Sequence, residues 1–104
     1  VVISLKPNNA EVVMKHSTYF EGKVQSLELN TGKGRATVGV IEPGKYSFST
    51  SSQETMEVVS GILKYKLKDN GWKEAKKGEN FVVAPGQTFE VEAMKDAAYI
   101  CYYK

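Results

Sequence analysis

The chain has one cysteine, Cys101, so no intramolecular disulfide framework can form. It has one histidine, His16, and one arginine, Arg35. A single imidazole excludes a metal site built from several histidines, and it leaves no His partner to activate Cys101 as a nucleophile. Hydrophobic runs are only a few residues long, far short of the roughly 20 needed for a spanning helix. The opening VVISLKPNNAEVVMKHS has no continuous apolar region before a small-residue cleavage site, so no signal peptide is expected. Charge of one sign is also scarce. The net formal charge is +2, which gives no reason to expect a nucleic-acid-binding surface. Together with the lone thiol these absences favour a cytoplasmic protein with no membrane contact.

What is present suits one small globular domain. Of 104 residues, 41% are hydrophobic and 25% charged, enough for a single continuous core. Short runs rich in Val, Ile, Tyr, Phe and Thr alternate with turn signals. Strands are expected at Lys23 to Leu29, Ala36 to Ile41, Tyr46 to Thr50, Met56 to Ser60 and Ile62 to Lys68. Further ones are expected at Trp72 to Ala75, Phe81 to Val83, Phe89 to Glu92 and Tyr99 to Tyr103. Glu42-Pro43-Gly44 and Ala84-Pro85-Gly86-Gln87 read as turns, and Asp69-Asn70-Gly71 as a hairpin. Asn9 to His16 fits either a short helix or a strand that pairs with a second chain. The pattern predicts an all-β fold, an antiparallel barrel or jelly roll with a mouth between its sheets.

Glu54 and Gly61 have the Glu-x6-Gly spacing of the first cupin motif, with Gly44 upstream. Phe48 and Thr50, or Ser47 and Ser49, then fall where a cupin carries its paired histidines. Gly78, Pro85 and Gly86 echo the second motif, and Phe89 stands at its histidine. The chain thus resembles a cupin whose three histidine positions hold other residues. Glu54 alone could not close a transition-metal site, so no metal and no cofactor is expected.

Longer stretches carry a narrower likeness. They are Tyr19-Phe20-Glu21-Gly22-Lys23-Val24, Gly34 to Val40, Pro43 to Thr50, Glu54 to Gly61 and Tyr99 to Tyr103, with Phe81, Val83 and Phe89 between. In order and spacing they resemble the bacterial pyrimidine/purine nucleoside phosphorylases, small metal-free cupins of the RmlC type. The likeness runs from Tyr19 to Tyr103, which suggests an N-terminal extension at 1–18 and a cupin domain at 19–104. It departs locally at Gln53 and at the Ala84-Pro85-Gly86 turn. The resemblance implies a homodimer that takes a nucleoside and inorganic phosphate and yields free base and ribose 1-phosphate, with broad base specificity.

Phosphorolysis passes through a cationic sugar, so its site needs a phosphate cradle, a surface for the base and groups that fix the ribose. Tyr46, Phe48 and Phe89 are candidates for the base surface, since every base offers a π-face; alternating aromatics also commonly fill a core. Glu54 is the candidate catalytic residue, through ribose hydroxyls or positive charge on the sugar, or else it is a solvated carboxylate at a strand start. Thr50 is a candidate donor to phosphate or ribose, or simply a good strand residue. Arg35 follows a glycine-rich turn, where its guanidinium could hold phosphate, though single surface arginines are common. Cys101 reads as a small buried residue. Two rivals are a non-catalytic sugar- or nucleotide-binding module and a sugar isomerase or epimerase, the latter handicapped by the placement of His16.

Overall fold

Side chains that alternate between apolar and polar must sort to the two faces of a sheet, and two such sheets close over the shared apolar face. The computed structural model describes residues 14–68 and 70–104, and these form ten strands, most of which follow that rule. They are β1 (His16–Tyr19), β2 (Val24–Asn30), β3 (Arg35–Ile41), β4 (Gly44–Ser49) and β5 (Glu54–Ser60). The rest are β6 (Ile62–Leu67), β7 (Lys73–Lys76), β8 (Asn80–Val83), β9 (Thr88–Ala93) and β10 (Ala97–Tyr103). One sheet has the order β1-β2-β3-β10-β5-β8 and the other β4-β9-β6-β7, with every pairing antiparallel. This is the all-β, antiparallel two-sheet architecture expected from the alternation.

The layer between the sheets holds Val24, Ile41, Val58, Leu63, Val83, Val91 and Cys101, all nearly or fully buried. Each of the aliphatic side chains contributes about 1.5–3 kcal/mol by leaving water. In β6 the alternation is clear only at the start of the strand, where Leu63 is buried and Ile62 faces solvent; Lys64 to Leu67 are all half-buried. β6 and β7 form the expected antiparallel pair, with Leu63 opposite Ala75; Asp69 of the intervening turn lies outside the described residues.

Several strand ends differ from expectation, and two of these differences bear on the site. β1 begins at His16 and pairs with β2 of the same chain, His16 opposite Leu27 and Tyr19 opposite Val24. His16 to Thr18 therefore belong to the sheet. Backbone hydrogen bonding to β2 decides this, a long-range term that local periodicity does not contain. The remainder of the expected helix or strand, 9–13, lies outside the described residues. β5 begins at Glu54 rather than Met56, because Glu54 and Thr55 find partners on both sides, Val83 and Val82 in β8, Tyr103 and Tyr102 in β10.

Candidate active site

One end of the sandwich is open. A cavity of about 410 Å³ lies between the sheets, and its two walls differ in chemistry. Beside the apolar Ile41 and Met56, the six-stranded sheet supplies hydroxyls, a thiol and a carboxylate: Ser26 from β2, Thr37 from β3, Glu54 from β5, and Tyr99, Cys101 and Tyr103 from β10. The four-stranded sheet supplies Phe48, flanked by Ser47 and Ser49, from β4 and Phe89 and Val91 from β9, joined by Tyr19 at the end of β1 and Phe20 from the β1–β2 connection. Phe48 and Phe89 are cross-strand partners with ring centroids 5.7 Å apart. Phe20 meets Phe48 edge-on at 5.5 Å, and Tyr19 does so at 6.3 Å.

The polar wall is assembled by register. On β10, Tyr99, Cys101 and Tyr103 share one face, the alternation visible in the sequence. Pairing sets Cys101 opposite Thr37 on one side and Tyr103 opposite Glu54 on the other. The Cys101 thiol lies 3.4 Å from Glu54 Oε1, and the hydroxyls of Thr37 and Tyr103 are 3.1 Å apart. Burial lifts the Glu54 carboxyl above the usual carboxylate range, opposed by the Cys101 contact and by the positive charge of Arg35. Burial, with the neighbouring Glu54 carboxylate, pushes the Cys101 thiol up to about 12. Burial likewise pushes the Tyr103 phenol up to about 12, so both keep their protons at neutral pH. Tyr99 is raised further by its burial. It crosses β3 directly above Gly39, and a Cβ there would run into its ring.

Three of the six expected residues line this pocket: Phe48, Glu54 and Phe89. The other three do not, each for a visible reason. Tyr46 points inward but is buried, and its hydroxyl donates to the carbonyls of Glu42 at 2.8 Å and Pro43 at 3.2 Å, fastening the preceding turn. Thr50 is buried as well. Its hydroxyl donates to the Ala84 carbonyl at 2.7 Å and accepts from the Gln87 amide at 3.1 Å, so it ties β4 to the following turn instead of facing a ligand. Arg35 lies outside the cavity, with its guanidinium 3.3 Å from Glu28 and stacked 4.0 Å over the Tyr103 ring. Its charge reaches Glu54 across that ring rather than by contact.

Thr37, Tyr103 and Phe20 were not among the candidates. The first two carry a faint signal in the β3 and β10 alternation, whereas Phe20 lies in a connection where no periodicity applies. His16 is exposed and bonded to Gln25 at 2.9 Å, away from the pocket lining. Among the described residues no three His, Cys, Asp or Glu side chains converge.

A family model described as pyrimidine/purine nucleoside phosphorylase matches residues 14–103. The chain belongs to the pyrimidine/purine nucleoside phosphorylase family. The match takes in β1 as well as the strands after it, in agreement with the sheet. A pyrimidine/purine nucleoside phosphorylase from Hahella chejuensis is 42% identical over 92 residues, covering 88% of this chain and 99% of that protein. A crystal structure of a protein of unknown function from Vibrio parahaemolyticus is 36% identical. It superposes with a TM-score of 0.83 over 89% of this chain and all of that one. The EutQ protein of Clostridium difficile is 17% identical, with a TM-score of 0.64 over 75% of this chain and 64% of that one; it shares the fold. Family membership gives the two-walled pocket its setting: nucleoside phosphorylases must seat a flat base beside a polar sugar.

Proposed function

We propose that this chain is a nucleoside phosphorylase, converting a pyrimidine or purine nucleoside and inorganic phosphate to free base and α-D-ribose 1-phosphate. The observation that carries this is the opposition of an aromatic wall, Phe48 and Phe89, to a wall of hydroxyls around Glu54. The base lies against the aromatics, which read no particular hydrogen-bond edge and so suit broad specificity. The ribose lies toward Glu54. In the reaction the C1′–N bond breaks, the base nitrogen takes up a proton, and a C1′–O bond forms to phosphate. Positive charge builds on the ribose between these events, and the half-buried Glu54 carboxylate stabilises it at short range in a low-dielectric site. The hydroxyls of Thr37, Tyr103 and Ser26 offer donors to phosphate, with Arg35 adding positive potential from behind the Tyr103 ring. Arg35 thus keeps a part in phosphate binding without touching it.

A homodimer fits the outward face of the six-stranded sheet. Leu27 and Val38 are direct cross-strand neighbours there, and Val40 and Tyr102 continue the same face, each 39–55% exposed. Contiguous apolar surface of this kind marks an interaction site more often than a solvated one. Light scattering on the wild type and on Val40→Lys tests it: a dimer that dissociates in the variant supports this face, and a wild-type monomer removes it.

The activity is tested by incubating the purified protein with uridine and with adenosine, with and without phosphate, EDTA throughout, and separating free base by chromatography. Phosphate-dependent release of both bases is the expected result. Nucleoside binding without release would replace the enzyme with a binding module, and loss of turnover in EDTA would overturn the metal-free reading.

A further inference from the structure

The connection between β1 and β2 is built at a cost that its packing does not explain. Tyr19 and Val24 are the last paired residues, and the Lys23 amide donates to the Phe20 carbonyl at 3.1 Å to close the turn. Glu21, at φ 58° and ψ 34°, and Gly22, at φ 88°, occupy the two left-handed central positions of a type I′ hairpin turn. That turn needs only two residues of positive φ. Phe20 is a third, at φ 52°. A bulky aromatic in the left-handed region is a genuine outlier, since its Cβ crowds the following carbonyl. Core packing does not compensate, because Phe20 remains 42% exposed.

What the strained backbone achieves is a position. The Phe20 ring sits at the pocket mouth, 5.0 Å from the Tyr46 ring and 5.5 Å from Phe48. Had Phe20 continued the extended β1 conformation, its side chain would follow the alternation of that strand, and Tyr19 already points to the pocket. The left-handed residue lets two consecutive aromatics face the same cavity. Backbone strain held in place by surrounding structure is commonly found where a ligand is clamped.

We propose that the strained β1–β2 turn holds Phe20 as a nucleobase-stacking residue, completing with Phe48 and Tyr19 the aromatic side of the site. This rests on the phosphorolysis reading above and adds to it a residue outside the cupin motif. Tyr46 acts behind Phe20 as its support, which gives that buried tyrosine a positioning part in base binding. Stacking is indifferent to the hydrogen-bonding edge of the base, and a purine offers it the larger face. Loss of Phe20 should therefore weaken both base classes, purines more.

The test is calorimetric binding of adenine and uracil without phosphate, beside steady-state kinetics with adenosine and uridine. Phe20→Ala should weaken adenine binding and raise the adenosine KM by about tenfold, uracil and uridine less, with the KM for phosphate unchanged. Phe20→Tyr should restore both. Phe20→Leu keeps most of the side-chain volume and loses the π-face; it should lose affinity as Phe20→Ala does, and it keeps the test open should the alanine variant fold poorly. Adenine binding within twofold of wild type in Phe20→Leu overturns the proposal while leaving the phosphorylase reading intact. A wild-type protein that releases base from neither nucleoside overturns both. An equal rise in the phosphate KM makes Phe20 a residue of general packing and also overturns the proposal.

Discussion

Gly39→Ala is the smallest perturbation that should be felt both in the fold and at the site. Gly39 is on β3 directly opposite Tyr99 of β10, both are buried, and the Tyr99 ring lies where a Cβ on residue 39 would be. Adding one methyl to a packed interior costs about 1–3 kcal/mol through displaced side chains. Replacing Gly by Ala within a strand returns roughly 0.5–1 kcal/mol of backbone entropy. The net expectation is a loss of about 1–2 kcal/mol, which in a domain of this size lowers Tm by roughly 5–15 °C. Thermal unfolding followed by circular dichroism reads this directly. The cause is isolated by repeating the substitution in a Tyr99→Leu background, where the ring no longer covers the glycine. There Gly39→Ala should be neutral or slightly stabilising, giving a coupling of about 1 kcal/mol or more. An equal cost in both backgrounds would refute the clash. Because Tyr99 lines the pocket, Gly39→Ala should also slow turnover in whatever fraction remains folded.

Glu54→Gln should lower kcat by about a hundredfold, the scale of one electrostatic stabiliser, with little change in Tm. Because burial raises the Glu54 carboxyl, wild-type kcat should fall on the acid side with a midpoint above the usual carboxylate range, and the Gln variant should lack that limb. Cys101, raised to about 12, should resist a thiol reagent at pH 8 in the native protein and react at once in urea. The folded thiol holds its proton where the unfolded one has lost it. Stability should therefore be full below about pH 9 and decline as pH rises through about 12, as a denaturant series would record. Thr50→Val should cost about 1–3 kcal/mol in chemical denaturation, since it leaves the Ala84 carbonyl and the Gln87 amide without their partner.

The alternation of Ile62 to Lys68 and of Tyr99 to Tyr103 was enough to read an all-β, two-sheet fold, because period-two burial is a local property of the chain. Which inward residues reach the pocket was less legible. Tyr46, Phe48 and Thr50 share one face of β4 and its extension, yet only Phe48 meets the cavity. Alternation gives the face but not the depth, and depth depends on where the opposite sheet closes. Tyr46 and Thr50 are stopped by carbonyls of turns that they fasten, Glu42 and Ala84, contacts that exist only in the folded protein. Arg35 was drawn toward phosphate by its charge, but Glu28 and the Tyr103 ring hold it outside. Glu54 could be placed by motif spacing alone; its neighbours Cys101 and Tyr103 required the register of β10 against β5. Phe20 lies in the Tyr19 to Val24 stretch that carries the family likeness, yet no periodicity aims it at the pocket, since a left-handed phenylalanine contradicts every local preference.

The central claim is that phosphate, and not water, attacks the nucleoside in this two-walled pocket. Phosphorus NMR of the protein with uridine and inorganic phosphate, repeated with adenosine, tests it most directly. The account predicts that the inorganic phosphate signal declines as a sugar 1-phosphate signal grows, one equivalent for each base released. Base release with the phosphate signal unchanged would mean hydrolysis, and no base release at all would mean no such enzyme; either contradicts the account.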